Sequence, residues 1–222
     1  MKAFETLARY TSPAGHVLTL HHRDGDYFVH LDGEELMATR SPASERALAT
    51  LACGSFGARP RVLIGGLGLG YTLRAALDVL PADAKVVVAE LFACIIDWNR
   101  RFLPDLQAGA LTDPRTTIRN VDVWREIERG GPWHGILLDV DNGPEAPCLE
   151  DNDRLYDRRG LAVIRRALVP GGVVAFWSAQ RNERFLKALQ KSGFEARCHT
   201  VKGGGVRHQI FVATVAAGRG RG

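Results

Sequence analysis

Val62-Leu63-Ile64-Gly65-Gly66-Leu67-Gly68-Leu69-Gly70, then Thr72-Leu73-Arg74 and Val86-Val87-Val88-Ala89-Glu90, reads as strand, glycine loop, helix, strand and acid. Glycines at 66, 68 and 70 let the backbone turn tightly and approach a ligand closely, and an acid at the tip of the next strand can accept both ribose hydroxyls. On the glycines alone an ordinary strand-to-helix turn explains the pattern equally well, and Glu90 decides for a nucleoside site. A dinucleotide fingerprint needs G-x-G-x-x-G, but Tyr71 stands where the third glycine would fall. The spacing therefore favours S-adenosylmethionine (SAM) or a relative over NAD, with Gly66, Gly68, Gly70, Glu90 and the adjoining Leu91 as binding residues.

Outward from this unit, strands and helices alternate: strand 61–66, helix 71–80, strand 85–91, helix 92–103, strands 116–121 and 135–140, helix 157–168, strand 172–178 and helix 181–192. Such alternation implies a parallel sheet with helices on both faces. The last two strands, 195–201 and 209–215 around Gly203-Gly204-Gly205, are too closely coupled for a helical crossover and form an antiparallel hairpin. Upstream, residues 16–37 alternate with period two around Asp24-Gly25 and Asp32-Gly33, a small β-meander, and residues 42–54 switch to helical spacing. The expected fold is α/β, a Rossmann-like class I SAM-dependent methyltransferase fold with a C-terminal antiparallel hairpin. Its expected units are 1–56 (meander and linking helix), 57–216 (nucleoside-binding domain) and 217–222 (disordered tail). The meander is too small to bury its own face, which leaves pairing with a second subunit, as in a homodimer, or with the main lobe.

With 222 residues, 45% of them hydrophobic, the chain can bury one good core and a small appendage. No apolar run approaches the roughly 18 residues of a membrane span, and residues 1–5 show no signal-peptide apolar region, so a cytoplasmic protein without a membrane partner is expected. Cys53, Cys94, Cys148 and Cys198 lack C-x-x-C spacing and the seven histidines lack metal spacing; no metal is expected. A net charge of +4 with interspersed signs does not demand a nucleic-acid groove, and no nucleic-acid partner is expected.

Ligands in open α/β sheets sit beyond the carboxyl ends of the strands, and those ends are acidic here: Glu90, Asp122, Asp139 and Asp141. Asp122 could accept from an adenine amino group over the apolar floor of Val123, or cap a helix that begins there. Two carboxylates at the tip of the apolar strand Ile136-Leu137-Leu138 cost stability unless paired or used. Trp177 lines a pocket or simply packs. Tyr156 closes over a substrate or starts a helix.

These residues together resemble the spermidine synthases, or polyamine aminopropyltransferases. Leu31-Asp32-Gly33 resembles that family's L-D-G, Glu45 falls near its Y-H-E, and Ile64–Arg74 is similar to I-G-G-G-D-G-G-x-L-R. Asp113-Pro114-Arg115 matches D-P-R, and Asp139 through Gly143-Pro144 resembles D-x-x-D-P-x-G-P. The resemblance implies that Glu90 holds the ribose, Asp122 the adenine, and that Asp139 takes a proton from an attacking amine, with Asp139 and Asp141 as catalytic residues and Asn142, Tyr156 and Trp177 near the substrate.

The departures fall at the chemistry. Gly68 stands where the family aspartate receives the ammonium of decarboxylated SAM; Asn142 replaces the second loop aspartate; Ala43-Ser44 replace Y-H; Leu36 or Met37 replaces a glutamine. An aspartate at 68 would repel the carboxylate of intact SAM, whereas glycine leaves exposed N–H groups that welcome it. The leading expectation is therefore a SAM-dependent methyltransferase acting on a small amine. The second is an aminopropyltransferase using decarboxylated SAM, with Asp141 standing in for the lost carboxylate, and the third a non-catalytic SAM-binding protein.

Overall fold

The computed structural model describes residues 3–40, 42–140, 143–144, 150–203 and 205–217. Asp141, Asn142, Glu145 and Cys148, like residues 218–222 of the expected tail, lie outside the described residues.

The first four strands are β1 (Glu5–Thr11), β2 (Val17–Arg23), β3 (Asp26–Leu31) and β4 (Glu34–Ala38), antiparallel and in sequence order. Both tight turns carry Asp-Gly with positive φ, 53° and 89° at Asp24-Gly25 and 51° and 92° at Asp32-Gly33, the left-handed pair that matches the twist of a hairpin. The sheet begins one strand earlier than the alternation of residues 16–37 indicates. β1 is mostly exposed and carries little apolar alternation, so its pairing with β2 is what makes it a strand. Leu18, Leu20 and Val29 are buried in a core cluster shared with helix α1 (Ala43–Cys53) and the main sheet, so the meander rests this face on the chain's own main lobe.

The main sheet is built from β5 (Arg61–Gly65), β6 (Lys85–Glu90), β7 (Thr116–Asn120), β8 (Trp133–Leu138), β9 (Leu168–Ser178), β10 (Phe194–Gly203) and β11 (Val206–Val215), in the order β10-β11-β9-β8-β5-β6-β7. Strands β5 to β9 run parallel, and β11 is inserted antiparallel between β9 and the edge strand β10. This is the Rossmann-like α/β arrangement that the sequence implies.

Because side chains alternate across a strand, the apolar β5 feeds two cores. Val62 and Ile64 pack with α1, α2 (Tyr71–Val79) and α3 (Ala93–Phe102), while Leu63 packs with α4 (Val123–Glu128), α5 (Arg158–Ala167) and α6 (Glu183–Lys191). α4 is an element that hydrophobic periodicity misses, since six residues are under two turns. Its signal is the cap: Asp122 accepts from the Trp124 amide at 2.8 Å. Among the described residues no helix is long and apolar enough to cross a membrane.

Candidate functional site

The strand order reverses between β5 and β8, both of which neighbour each other in the sheet while their successors diverge to opposite sides. Loops leaving the carboxyl ends there part and leave a crevice. A cavity of about 520 Å³ occupies it, walled by the glycine loop, the ends of β6 and β8, β4, the start of α1 and the C-terminal hairpin.

Gly66, Gly68 and Gly70 have φ of 85°, 54° and 83°. A side chain on Gly66 would place its Cβ 2.3 Å from the Asp139 carbonyl, and one on Gly70 would meet Gln107 Cγ at 2.3 Å, so both positions require glycine for space as well as conformation. Gly68 differs. Its nearest neighbour would be Met37 Sδ at 3.6 Å, in ordinary contact.

Glu90 is 6% exposed, and its two oxygens accept from the Leu67 and Phe92 amides at 2.8 Å each. Burial pushes its carboxyl above the usual range, opposed by hydrogen bonds from the amides of Phe92, Leu67, Gly68 and Leu91. Leu91 is 48% exposed on the cavity wall, and Val123 is buried across from it against Gly65. Asp122 also lines the cavity, but one oxygen caps α4 and the other pairs with Arg154 Nη2.

A second group gathers around Asp139. Its carboxyl is half-buried and accepts from Thr72 Oγ1 at 2.8 Å. Burial first, then the charge of Glu45, raise it to about 7, while the Thr72 hydroxyl works in the other direction. Glu45, from the first turn of α1, and His208, from β11, line the same cavity. His208 lies against Trp177 with ring centroids 5.0 Å apart; burial lowers its imidazole and Glu45 raises it. The indole Nε1 of Trp177 is buried without a hydrogen-bond partner among the described residues.

Of the residues singled out in the sequence, Gly66, Gly68, Glu90, Leu91, Asp122, Val123, Asp139 and Trp177 line one cavity, and Gly70 closes the loop behind it. Tyr156 is not brought to it. Its ring packs on Phe176 and Phe185, centroids 5.9 and 5.5 Å apart, within the core on the α5–α6 side, because the turn before α5 directs it under the sheet. Asp141 and Asn142 lie outside the described residues. Glu45 and His208 are the residues that sequence reasoning did not place here. The Y-H-E likeness was a signal for Glu45; for His208 the signal is the β9–β11 register, which pairs Ile210 with Trp177 and is not legible in the sequence.

No family model matches the chain. It is similar to the polyamine aminopropyltransferase of Mycobacterium tuberculosis, 26% identical over 206 residues, which cover 86% of this chain and 37% of that protein. The polyamine aminopropyltransferase of Pyrobaculum calidifontis is 32% identical over 117 residues (51% of this chain, 39% of the relative). Spermine synthase of Saccharomyces cerevisiae is 26% identical over 140 residues (60% and 45%). A crystal structure of spermidine synthase in complex with the transition-state analogue AdoDATO superposes with a TM-score of 0.74 at 17% identity, covering 96% of this chain and 73% of that one. The Thermotoga maritima spermidine synthase gives 0.76 at 17% identity with the same coverage. The chain is spermidine synthase-like in sequence and in fold. This spermidine synthase-like chain spans well under half the length of the M. tuberculosis relative.

The expectation of methyl transfer is corrected by these relatives, which are named aminopropyltransferases and spermine synthase. The inference from Gly68 went too far for a physical reason. The charge at 68 bears on what the loop repels; which group moves depends on which carbon of the sulfonium faces the nucleophile. Intact SAM as the preferred donor loses its support with it.

Proposed function

We propose that the chain is an aminopropyltransferase that moves the aminopropyl group of decarboxylated SAM to a small amine. The observation that carries this reading is the pairing, in one cavity, of a glycine loop and buried acid suited to a nucleoside with a raised carboxyl at Asp139 beside it. In this reading Glu90 accepts from the ribose hydroxyls, Leu91 and Val123 flank the adenine, and Asp122 borders it while holding α4 in place. Gly66 and Gly70 admit the backbone close to the donor.

The amine lone pair attacks the methylene bound to sulfonium; the C–N bond forms as the C–S bond breaks, and 5′-methylthioadenosine leaves with the electron pair. The secondary ammonium so formed, or the incoming primary ammonium before attack, gives its proton to Asp139. A carboxyl near 7 is matched to that task at neutral pH. Thr72 orients it, and Glu45 adds negative charge where the acceptor's cation must sit. Trp177 and His208 wall the acceptor end. With Gly68 in the loop, the donor's own ammonium has no carboxylate there, so Glu45 and Asp139 serve both amines. Small amines are the partners that this charge pattern suits.

The test is to mix the protein with decarboxylated SAM and a panel of diamines and monoamines, and to weigh the amines by mass spectrometry. An aminopropylated amine is expected, and is expected to vanish with Asp139→Asn. Absence of any aminopropylated product across the panel would overturn the proposal.

A further inference from the structure

Behind the glycine loop lie two buried amides that the chemistry above does not use. Asn99 of α3 is 1% exposed and Gln107 is 2% exposed, and neither lines the cavity. Asn99 Nδ2 donates to the Gly68 carbonyl and to the Ile95 carbonyl at 2.8 Å each, and its Oδ1 accepts from Gln107 Nε2. The Gln107 side chain fills the space beside the Gly70 Cα. The residues near these amides and glycines along the chain, Leu67, Leu69, Ile95, Trp98, Leu103 and Ala110, belong to the buried apolar core.

Two amides in such a core are costly unless every donor and acceptor is matched, and an asparagine inside a helix competes with the helix's own backbone. Here it bonds the carbonyl four residues back and still reaches the loop. Glycine at 68 leaves the chain free to adopt either sign of φ, so nothing intrinsic holds the 68–69 peptide in one orientation. That peptide matters. Its carbonyl turns back to Asn99 directly after the Leu67 and Gly68 amides, which bond Glu90, so it fixes the chain where the loop leaves the acid.

We propose that Asn99 and Gln107 form a clamp that fixes the glycine loop in its donor-binding orientation, replacing the stiffness that a side chain at position 68 would supply. Asn99 and Gln107 are positioning residues acting through the loop. The inference rests on reading the glycine loop as the donor's seat.

The test titrates 5′-methylthioadenosine into the wild-type chain and into Asn99→Leu/Gln107→Leu, which removes both side-chain amides together and releases the Gly68 carbonyl from its partner. The variant is expected to bind about tenfold more weakly and to raise the donor KM in proportion, with kcat at saturation within about twofold, the pattern of lost ground-state preorganisation. Adding Gly68→Asn should recover most of the affinity, because asparagine tolerates the left-handed region and the space at 68 is open. Thermal melting read in parallel would not recover with that third change if the pair were merely structural. If the double variant does not fold, Gln107→Ala alone must weaken binding while the melting transition stays cooperative. Unchanged affinity in the folded variants, or no recovery with Gly68→Asn, overturns the clamp. Failure of the wild-type chain to bind the probe would overturn the donor site itself and the clamp with it.

Discussion

Asp139 is held between opposing influences: burial and the Glu45 charge favour its neutral form, and the Thr72 hydroxyl favours the carboxylate. A proton acceptor must be ionised, so turnover should rise with pH through about 7. Thr72→Val removes the group that lowers the carboxyl and should move this limb upward; Glu45→Gln removes a raising charge and should move it downward. Rate–pH profiles of the two variants check this, and shifts of one sign in both would take Asp139 out of the titration. At Gly68, a side chain finds room and a backbone that aspartate tolerates. Gly68→Asp should therefore place a carboxylate beside Met37 and improve discrimination for decarboxylated over intact SAM by about tenfold, the effect of roughly 1.4 kcal/mol from one charged hydrogen bond. Competitive binding of the two donors measures it, and an unchanged ratio would show that position 68 does not see the donor's tail. The left-handed turns at glycines 66, 68 and 70 and the place of Glu90 beside them were legible because they follow from backbone conformation and spacing. Asn99 and Gln107 were not, since a buried amide in an amphipathic helix or a loop looks like any polar residue until its partner is known.

Among the elements, the D-P-R segment before β7 ties the sheet to the end of α2. Asp113 accepts from the Arg115 amide and guanidinium, and Arg115 Nη1 reaches the Leu77 and Leu80 carbonyls at 2.9 Å, covering the open end of the helix. Arg115 holds the Asp113 carboxyl down at about 2. A lowered carboxyl stabilises the fold above its unfolded value near 3.8, and that contribution is lost as pH falls through about 2. Asp113→Asn should therefore cost about 1–2 kcal/mol at neutral pH. Urea titrations should find the gap from wild type closing over that acid range, and a constant gap would assign the effect to packing instead. The long alternating elements β5, α2, β6 and α3 could be read from their periods. β1 and α4 could not: one is a mostly exposed strand defined by its partner, the other a helix too short to show a period.

In the whole molecule, the two halves of the cavity differ in how they are built. The half formed by the glycine loop, Glu90 and Leu91 comes from one continuous run, β5 to the start of α3, so its spacing survives in the sequence, and only Asp122 and Val123 join it from beyond β7. The other half converges from β4, α1, the end of β9 and β11, segments separated along the chain and brought together only by the fold. That is why Glu45 and His208 emerge with the fold, and why departures counted from motif positions, Gly68 foremost, favoured the wrong transferred group. The most direct measurement offers the protein intact and decarboxylated SAM together at equal concentration with a diamine, and identifies the nucleoside released. Aminopropyl transfer predicts 5′-methylthioadenosine, formed in step with consumption of decarboxylated SAM and of the diamine; accumulation of S-adenosylhomocysteine instead, with the decarboxylated donor untouched, would contradict it.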